Sequence, residues 1–177
     1  HAPRGSDLDW LRCPLRVVCR NQSECVNICL EYQRSIISDN NKKWLSSLKP
    51  QEKINELNIV HGGWLDPLDE YMVPSAEYFS KLEGTLFASG HTHVPCVWTG
   101  GSKAYCNPGS VGQPRDGDPR ASFATLNAGV FEIHRVVYDI EKIQNKMKLA
   151  GFTSYFYENL TIGSRIGGKI DSLQGLI

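Results

Sequence analysis

Apolar and polar positions follow two rhythms along this chain. Over residues 24–37, Val26, Cys29, Leu30 and Ile36 recur roughly on one side of a 3.6-residue repeat, which predicts a helix. Ser38-Asp-Asn-Asn is a start signal for a second short helix carrying Trp44, Leu45 and Leu48, and Pro50 stops it. Short β-prone runs stand at 15–19, 57–60 and 85–89, with a helix expected near 75–82 between the last two. After a proline-rich loop the rhythm becomes strict alternation. Residues 121–126 and 130–138 read as strands joined at Asn127-Ala-Gly129, a hairpin signal. Residues 140–149 read as a helix stopped by Gly151. The glycine-rich tail, 158–177, is expected to be loose. Strands alternating with helices, then a hairpin, place the chain in the α/β class, as one domain over 1–177 or part of one.

Composition narrows the function classes. Lys plus Arg equals Asp plus Glu at 19 each, so no global field draws nucleic acid or a membrane surface, and a nucleic-acid partner is not expected. No window of 18 uninterrupted apolar residues exists, so no transmembrane helix is expected. The first residues lack an apolar signal core and an initiator methionine, so the chain is expected to be processed or excerpted from something longer. Six cysteines, at 13, 19, 25, 29, 96 and 106, form no Cys-x-x-Cys pair and match no common zinc module. They read as reduced and structural, which favours the cytoplasm.

The candidate chemistry sits where apolar runs stop. Val18-Cys-Arg-Asn21, Ile59-Val-His61 and Ala88-Ser-Gly-His91 each end a strand on a metal-capable side chain. In an open α/β sheet the strand carboxyl ends line one edge, where ligands bind. Asn21, His61, His91 and His93 can therefore converge, and imidazole with an amide oxygen suits manganese, iron, nickel or zinc. Alone, His61 reads equally as a capping or core histidine. His91 and His93 are stronger, because strand-like alternation aims both the same way. His134 alternates within a strand and reads as an ordinary surface or core residue. The loop Gln113-Pro-Arg-Asp-Gly-Asp-Pro-Arg120 has two readings. Arg115 pairs with Asp116 or Asp118 as turn chemistry, or Arg115 or Arg120 binds phosphate with bidentate guanidinium geometry. Trp64, Tyr71 and Trp98 either wall a pocket or pack.

Val60-His-Gly-Gly, Gly90-His-Thr-His-Val-Pro and Asn107-Pro-Gly-Ser-Val-Gly-Gln-Pro-Arg-Asp-Gly-Asp-Pro-Arg-Ala-Ser resemble the calcineurin-like metallophosphoesterase superfamily. The nearest branch is that of small bacterial-type phosphodiesterases and phosphatases, and the likeness runs from about Leu15 to Phe156. The resemblance implies a partial α/β/β/α sandwich, lacking its first βαβ units, with a two-metal site in the family. The family's first two motifs, Asp-x-His and Gly-Asp, find no counterpart, and its Gly-Asn-His-Asp/Glu motif corresponds to Arg20-Asn21-Gln22-Ser23. Asn21 keeps the amide ligand. Gln22 takes the catalytic histidine's place, and glutamine donates a hydrogen bond but moves no proton near neutral pH.

By the same resemblance one metal keeps Asn21, His61 and His91, and the other keeps His93 alone. Three neutral ligands hold one transition metal and one ligand holds none, so at most one of the family's two metals is expected. The strands at 15–18, 57–60 and 86–88 are expected to face unpaired neighbours, covered by self-association or a partner chain. Two functions follow. One is metal-dependent hydrolysis of a small phosphorylated substrate, a phosphomonoester or phosphodiester. The other is a catalytically degenerate phosphoesterase-fold scaffold for protein binding.

Overall fold

The computed structural model describes residues 23–176. The run at 15–19, together with Asn21 and Gln22, lies outside the described residues. Two compact units divide the chain, His1–Pro50 and Gln51–Ile177. The described part of the first unit consists of helices α1 (Ser23–Ile36) and α2 (Asp39–Ser47). Ser38 caps α2 as its start signal predicts, its hydroxyl accepting the Asn41 amide at 3.3 Å.

The second unit holds the histidine motifs and the 107–120 loop. Its elements are β1 (Gln51–Ile54), β2 (Leu57–Val60), α3 (Ala76–Ser80), β3 (Leu86–Ser89), β4 (Cys96–Gly100), β5 (Lys103–Asn107), β6 (Ala121–Asn127), β7 (Val130–Val136) and α4 (Ile140–Leu149). Five strands form one sheet in the order β1-β2-β3-β5-β4. The central trio β2, β3 and β5 is parallel, and antiparallel β1 and β4 form the two edges. The expectation that 57–60 and 86–88 face unpaired neighbours is therefore corrected: β2 lies between β1 and β3, and β3 between β2 and β5. Strand β1 escapes sequence reading because Gln51-Glu-Lys-Ile54 is exposed throughout and carries no alternation. A two-residue turn at Asn55 and Glu56 joins it to β2, with Asn55 at φ 55°. The mixed sheet with its helices is the predicted α/β class.

Parallel pairing sets the site. Val60 is opposite Ser89 in the β2–β3 register, so the carboxyl ends of these strands lie side by side and deliver His61 and Gly90-His91 to one edge. Strand β5 ends on Asn107 at that edge. One face of the sheet is closed by an aromatic core of Phe79, Phe87, Tyr105 and Met72. Phe79 of α3 stacks on Trp98 at 4.9 Å and meets Phe87 at 5.0 Å, and Trp64 meets Phe87 edge-on at 5.1 Å. Burying each large ring contributes about 2–3 kcal/mol, with roughly 1 kcal/mol more per well-oriented pair. Trp64 and Trp98 are thus packing residues.

The hairpin β6–β7 forms its own two-stranded sheet around Ala128 and Gly129, both at positive φ, as its turn chemistry predicts. The tail, expected to be loose, is packed over much of its length. Asn159, Leu160, Ser164 and Asp171 are buried, and Gly117 N–H donates to the Gly163 carbonyl at 2.9 Å. Gly163 stands at φ 71°, and a Cβ there would lie 2.6 Å from the Asp118 backbone. This glycine permits close approach of two chain segments rather than flexibility. Among the described residues no helix is long and apolar enough to cross a membrane.

Candidate metal centre

Beyond β3 the chain makes two abrupt turns. His91 and His93 both have left-handed backbones, at φ 62° and 60°. Each costs about 1–2 kcal/mol for a non-glycine residue, and such strain persists where surrounding structure enforces it. Here the enforcer is Asn107. Its amide nitrogen donates to the Gly90 carbonyl at 2.7 Å and to Thr92 Oγ1 at 3.0 Å, while its Oδ1 accepts the Gly109 amide at 2.9 Å. Thr92 Oγ1 in turn accepts the Val94 amide, and Gly90 N–H donates to the His61 carbonyl at 2.9 Å. The alternation argument for His91 and His93 is corrected accordingly: neither lies on a strand, and paired left-handed turns set their directions.

The result is a close imidazole pair. Nε2 of His61 and Nδ1 of His91 are 3.0 Å apart, with the rings steeply inclined at 77°. Two nitrogens bound about 2.1 Å from one ion at a right angle also stand about 3.0 Å apart, so the pair fits two adjacent ligand positions on a single transition metal. His93 is held differently. The Gln113 carbonyl, which can only accept, faces its Nδ1 at 2.8 Å, so Nδ1 carries the proton and Nε2 keeps the lone pair. Burial, aided by the Arg115 guanidinium, pushes the His93 pKa down to about 3. Burial also lowers the pKa of His61 against the opposing charge of Asp69. Both rings are thus neutral near pH 7, the form that ligates. Among the described residues no group of three or more His, Cys, Asp or Glu side chains is arranged to hold an ion. The described donors are therefore a pair plus a separately held third histidine.

Behind the pair lie Tyr71 and Arg115. The Tyr71 ring meets the His91 ring edge-on at 4.7 Å, and the Arg115 guanidinium lies close enough to favour the ionised form of the Tyr71 hydroxyl, against the larger effect of burial. Arg115 is fully buried. Its Nη2 donates to Gln113 Oε1 at 3.2 Å, while Nε and Nη1 have no partner among the described residues. The turn-chemistry pairing of Arg115 with Asp116 or Asp118 does not form. Asp116 is bound by Arg135, and Asp118 is bound by Arg120 through contacts of 2.6–3.1 Å. Arg120 lies at the surface in that ion pair, away from the fully buried setting of Arg115. Sequence reasoning passed over Asn107, although it opens the quoted motif, and Arg135, whose partners are distant in the chain.

A strained histidine turn at the carboxyl edge of a parallel sheet, with a second histidine one strand away, is the candidate metal-binding feature of this α/β protein. The family model for the calcineurin-like phosphoesterase superfamily domain matches residues 14–129, and the chain belongs to that superfamily. An uncharacterised protein of Methanocaldococcus jannaschii is 31% identical over 160 residues, covering 77% of this chain. This chain spans 65% of that relative's length. The crystal structure of a metallophosphoesterase from Sphaerobacter thermophilus superposes with a TM-score of 0.73 at 27% identity, covering 89% of this chain and 75% of that one. A hypothetical protein of Pyrococcus horikoshii shares the fold with a TM-score of 0.70 at 19% identity, over 93% of this chain and 71% of that one. Members of the superfamily use divalent metals.

Proposed function

We propose that the protein hydrolyses small phosphoesters with a divalent transition metal, manganese, iron, nickel or zinc, held between His61 Nε2 and His91 Nδ1. The carrying observation is the 3.0 Å nitrogen pair, built from a backbone strained at His91 and fixed by Asn107. The family motif makes Asn21 the expected amide ligand, and His93 keeps the Nε2 lone pair free of the Gln113 carbonyl that holds Nδ1. When bound, the cation supplies Lewis-acid stabilisation of phosphoryl charge and activation of water for in-line attack.

The chain's own residues set the rest. The Gln113 carbonyl fixes the His93 tautomer, and Asn107 holds the histidine turn rigid before substrate arrives. Arg115 directs its open N–H groups toward developing phosphoryl charge. By its place in the family motif Gln22 stands for the catalytic histidine, as a hydrogen-bond donor that moves no proton near pH 7. The test is manganese- or nickel-dependent turnover of p-nitrophenyl phosphate and bis-p-nitrophenyl phosphate. The expected result is activity in the full protein and its loss in His91→Ala; metal-saturated protein without turnover contradicts it.

Gln22 also favours a second reading, a catalytically degenerate scaffold that uses the fold for protein binding. That reading requires a stoichiometric protein partner together with metal content near zero.

A further inference from the structure

The chemistry above leaves a second guanidinium without a role. Arg165 Cζ stands 5.7 Å over the Tyr71 ring, the same ring that meets His91. The Arg115 guanidinium is near enough to act electrostatically on both Tyr71 and Arg165. The segment carrying Arg165 is tied to this spot, since Asp171 N–H donates to the Arg115 carbonyl at 2.6 Å. One carboxylate accompanies the two guanidinium groups. Asp171, with its side chain 2% exposed, accepts from Arg165 Nε at 2.5 Å.

Among the described residues the balance is two positive charges against one negative, with the surplus on Arg115, where two buried N–H groups have no partner. Burying a cation and its donors without a counter-group costs several kcal/mol. A fold sustains that cost where an anion arrives to meet it. Burial, and after it the like charge of Arg165, weakens the hold of Arg115 on its proton. The two arms differ in depth: the Arg165 side chain is 24% exposed and Arg115 is closed off, so solvent reaches the pair from the Arg165 side.

We propose that Arg115 and Arg165, both beside Tyr71, form a subsite for the phosphoryl group of a phosphomonoester. This rests on the phosphoesterase reading and adds a substrate class to it. A monoester brings two negative charges and three terminal oxygens to a surplus cation. A diester brings one charge, two terminal oxygens and a second substituent that must fit among buried side chains.

The experiment is calorimetric titration of the full chain, stripped of metal with EDTA, with inorganic phosphate and with dimethyl phosphate as the diester control. Phosphate is expected to bind at least tenfold more tightly than dimethyl phosphate. Arg165→Gln is expected to weaken phosphate tenfold or more, Arg165→Lys to restore part of the loss, and Lys169→Gln, an exposed cation of the same segment, to change nothing. If Arg165→Gln alone loosens the segment, Arg165→Gln with Asp171→Asn replaces the ion pair by an amide pair and must show the same loss. Absence of phosphate binding, equal affinity for both ligands, or undiminished binding in the folded Arg165 variants overturns the subsite. Hydrolysis fails separately: Arg165-dependent phosphate binding without turnover keeps the subsite and removes the enzyme, while turnover with an indifferent Arg165 does the reverse.

Discussion

Nε2 of His61 and Nδ1 of His91 lie 3.0 Å apart although they leave different strands thirty residues apart in the chain. Parallel pairing of β2 with β3 supplies the neighbourhood, and the left-handed backbone at His91 supplies the aim.

That backbone makes an unusual stability order. Glycine adopts φ near +60° without a steric cost and alanine does not. His91→Gly is expected to be more stable than His91→Ala by about 1 kcal/mol, the reverse of their order in a helix. Chemical denaturation of the two metal-free variants measures it, and an Ala variant equal to or above the Gly variant contradicts the enforced turn.

Asn107 holds the turn through three hydrogen bonds while fully buried. Asn107→Ala leaves a buried carbonyl and amide without partners, which costs about 2–4 kcal/mol. Metal affinity should fall with it, because the histidine turn loses its fixture. A variant as stable as the parent would remove Asn107 from that role.

Gly63 sets the loop that follows His61. A Cβ there would lie 2.1 Å from Glu70 Oε2, the atom that accepts from Leu65 N, Asp66 N and Tyr78 Oη. Gly63→Ala should destabilise by about 2–4 kcal/mol by displacing that carboxylate. In a Glu70→Ala background the same change should cost much less, and strict additivity in the double-mutant cycle counts against the clash.

Alkaline pH should unfold the protein through buried thiols. Burial pushes Cys96 up to about 11 and Cys106 up to about 12, from an ordinary value near 9. Above pH 9 the unfolded chain releases these protons while the folded chain retains them. Stability therefore is intact below pH 9 and falls as pH rises toward 11–12, by up to about 1.4 kcal/mol per pH unit per thiol. Thermal midpoints from pH 8 to 11 test this, and Cys106→Ala should flatten the slope.

What the sequence disclosed follows the reach of its signals. The helices and the β6–β7 hairpin were legible because capping residues and period act within a few positions, as at Ser38, Gly151 and Gly129. His61, His91 and His93 were legible as strand-end residues, but the left-handed turns behind them depend on Asn107 across the sheet. The β4–β5 hairpin was missed because its polar and half-buried alternation starts directly after Pro95 and crosses Gly100-Gly101. Arg165 and the packed tail were illegible, and Tyr71 was left between pocket wall and packing, because their meaning comes from partners far away in the chain. Glycine spacing alone cannot separate a loose segment from one that needs close contact, as Gly163 does.

The central claim is that His61 and His91 share one transition metal. Anomalous scattering from crystals of the full protein equilibrated with manganese measures this directly. The account predicts a peak about 2.1 Å from both His61 Nε2 and His91 Nδ1, absent in His91→Ala. Metal-equilibrated crystals with no peak at this pair, or with manganese bound elsewhere while the two rings remain hydrogen-bonded to each other, would contradict it.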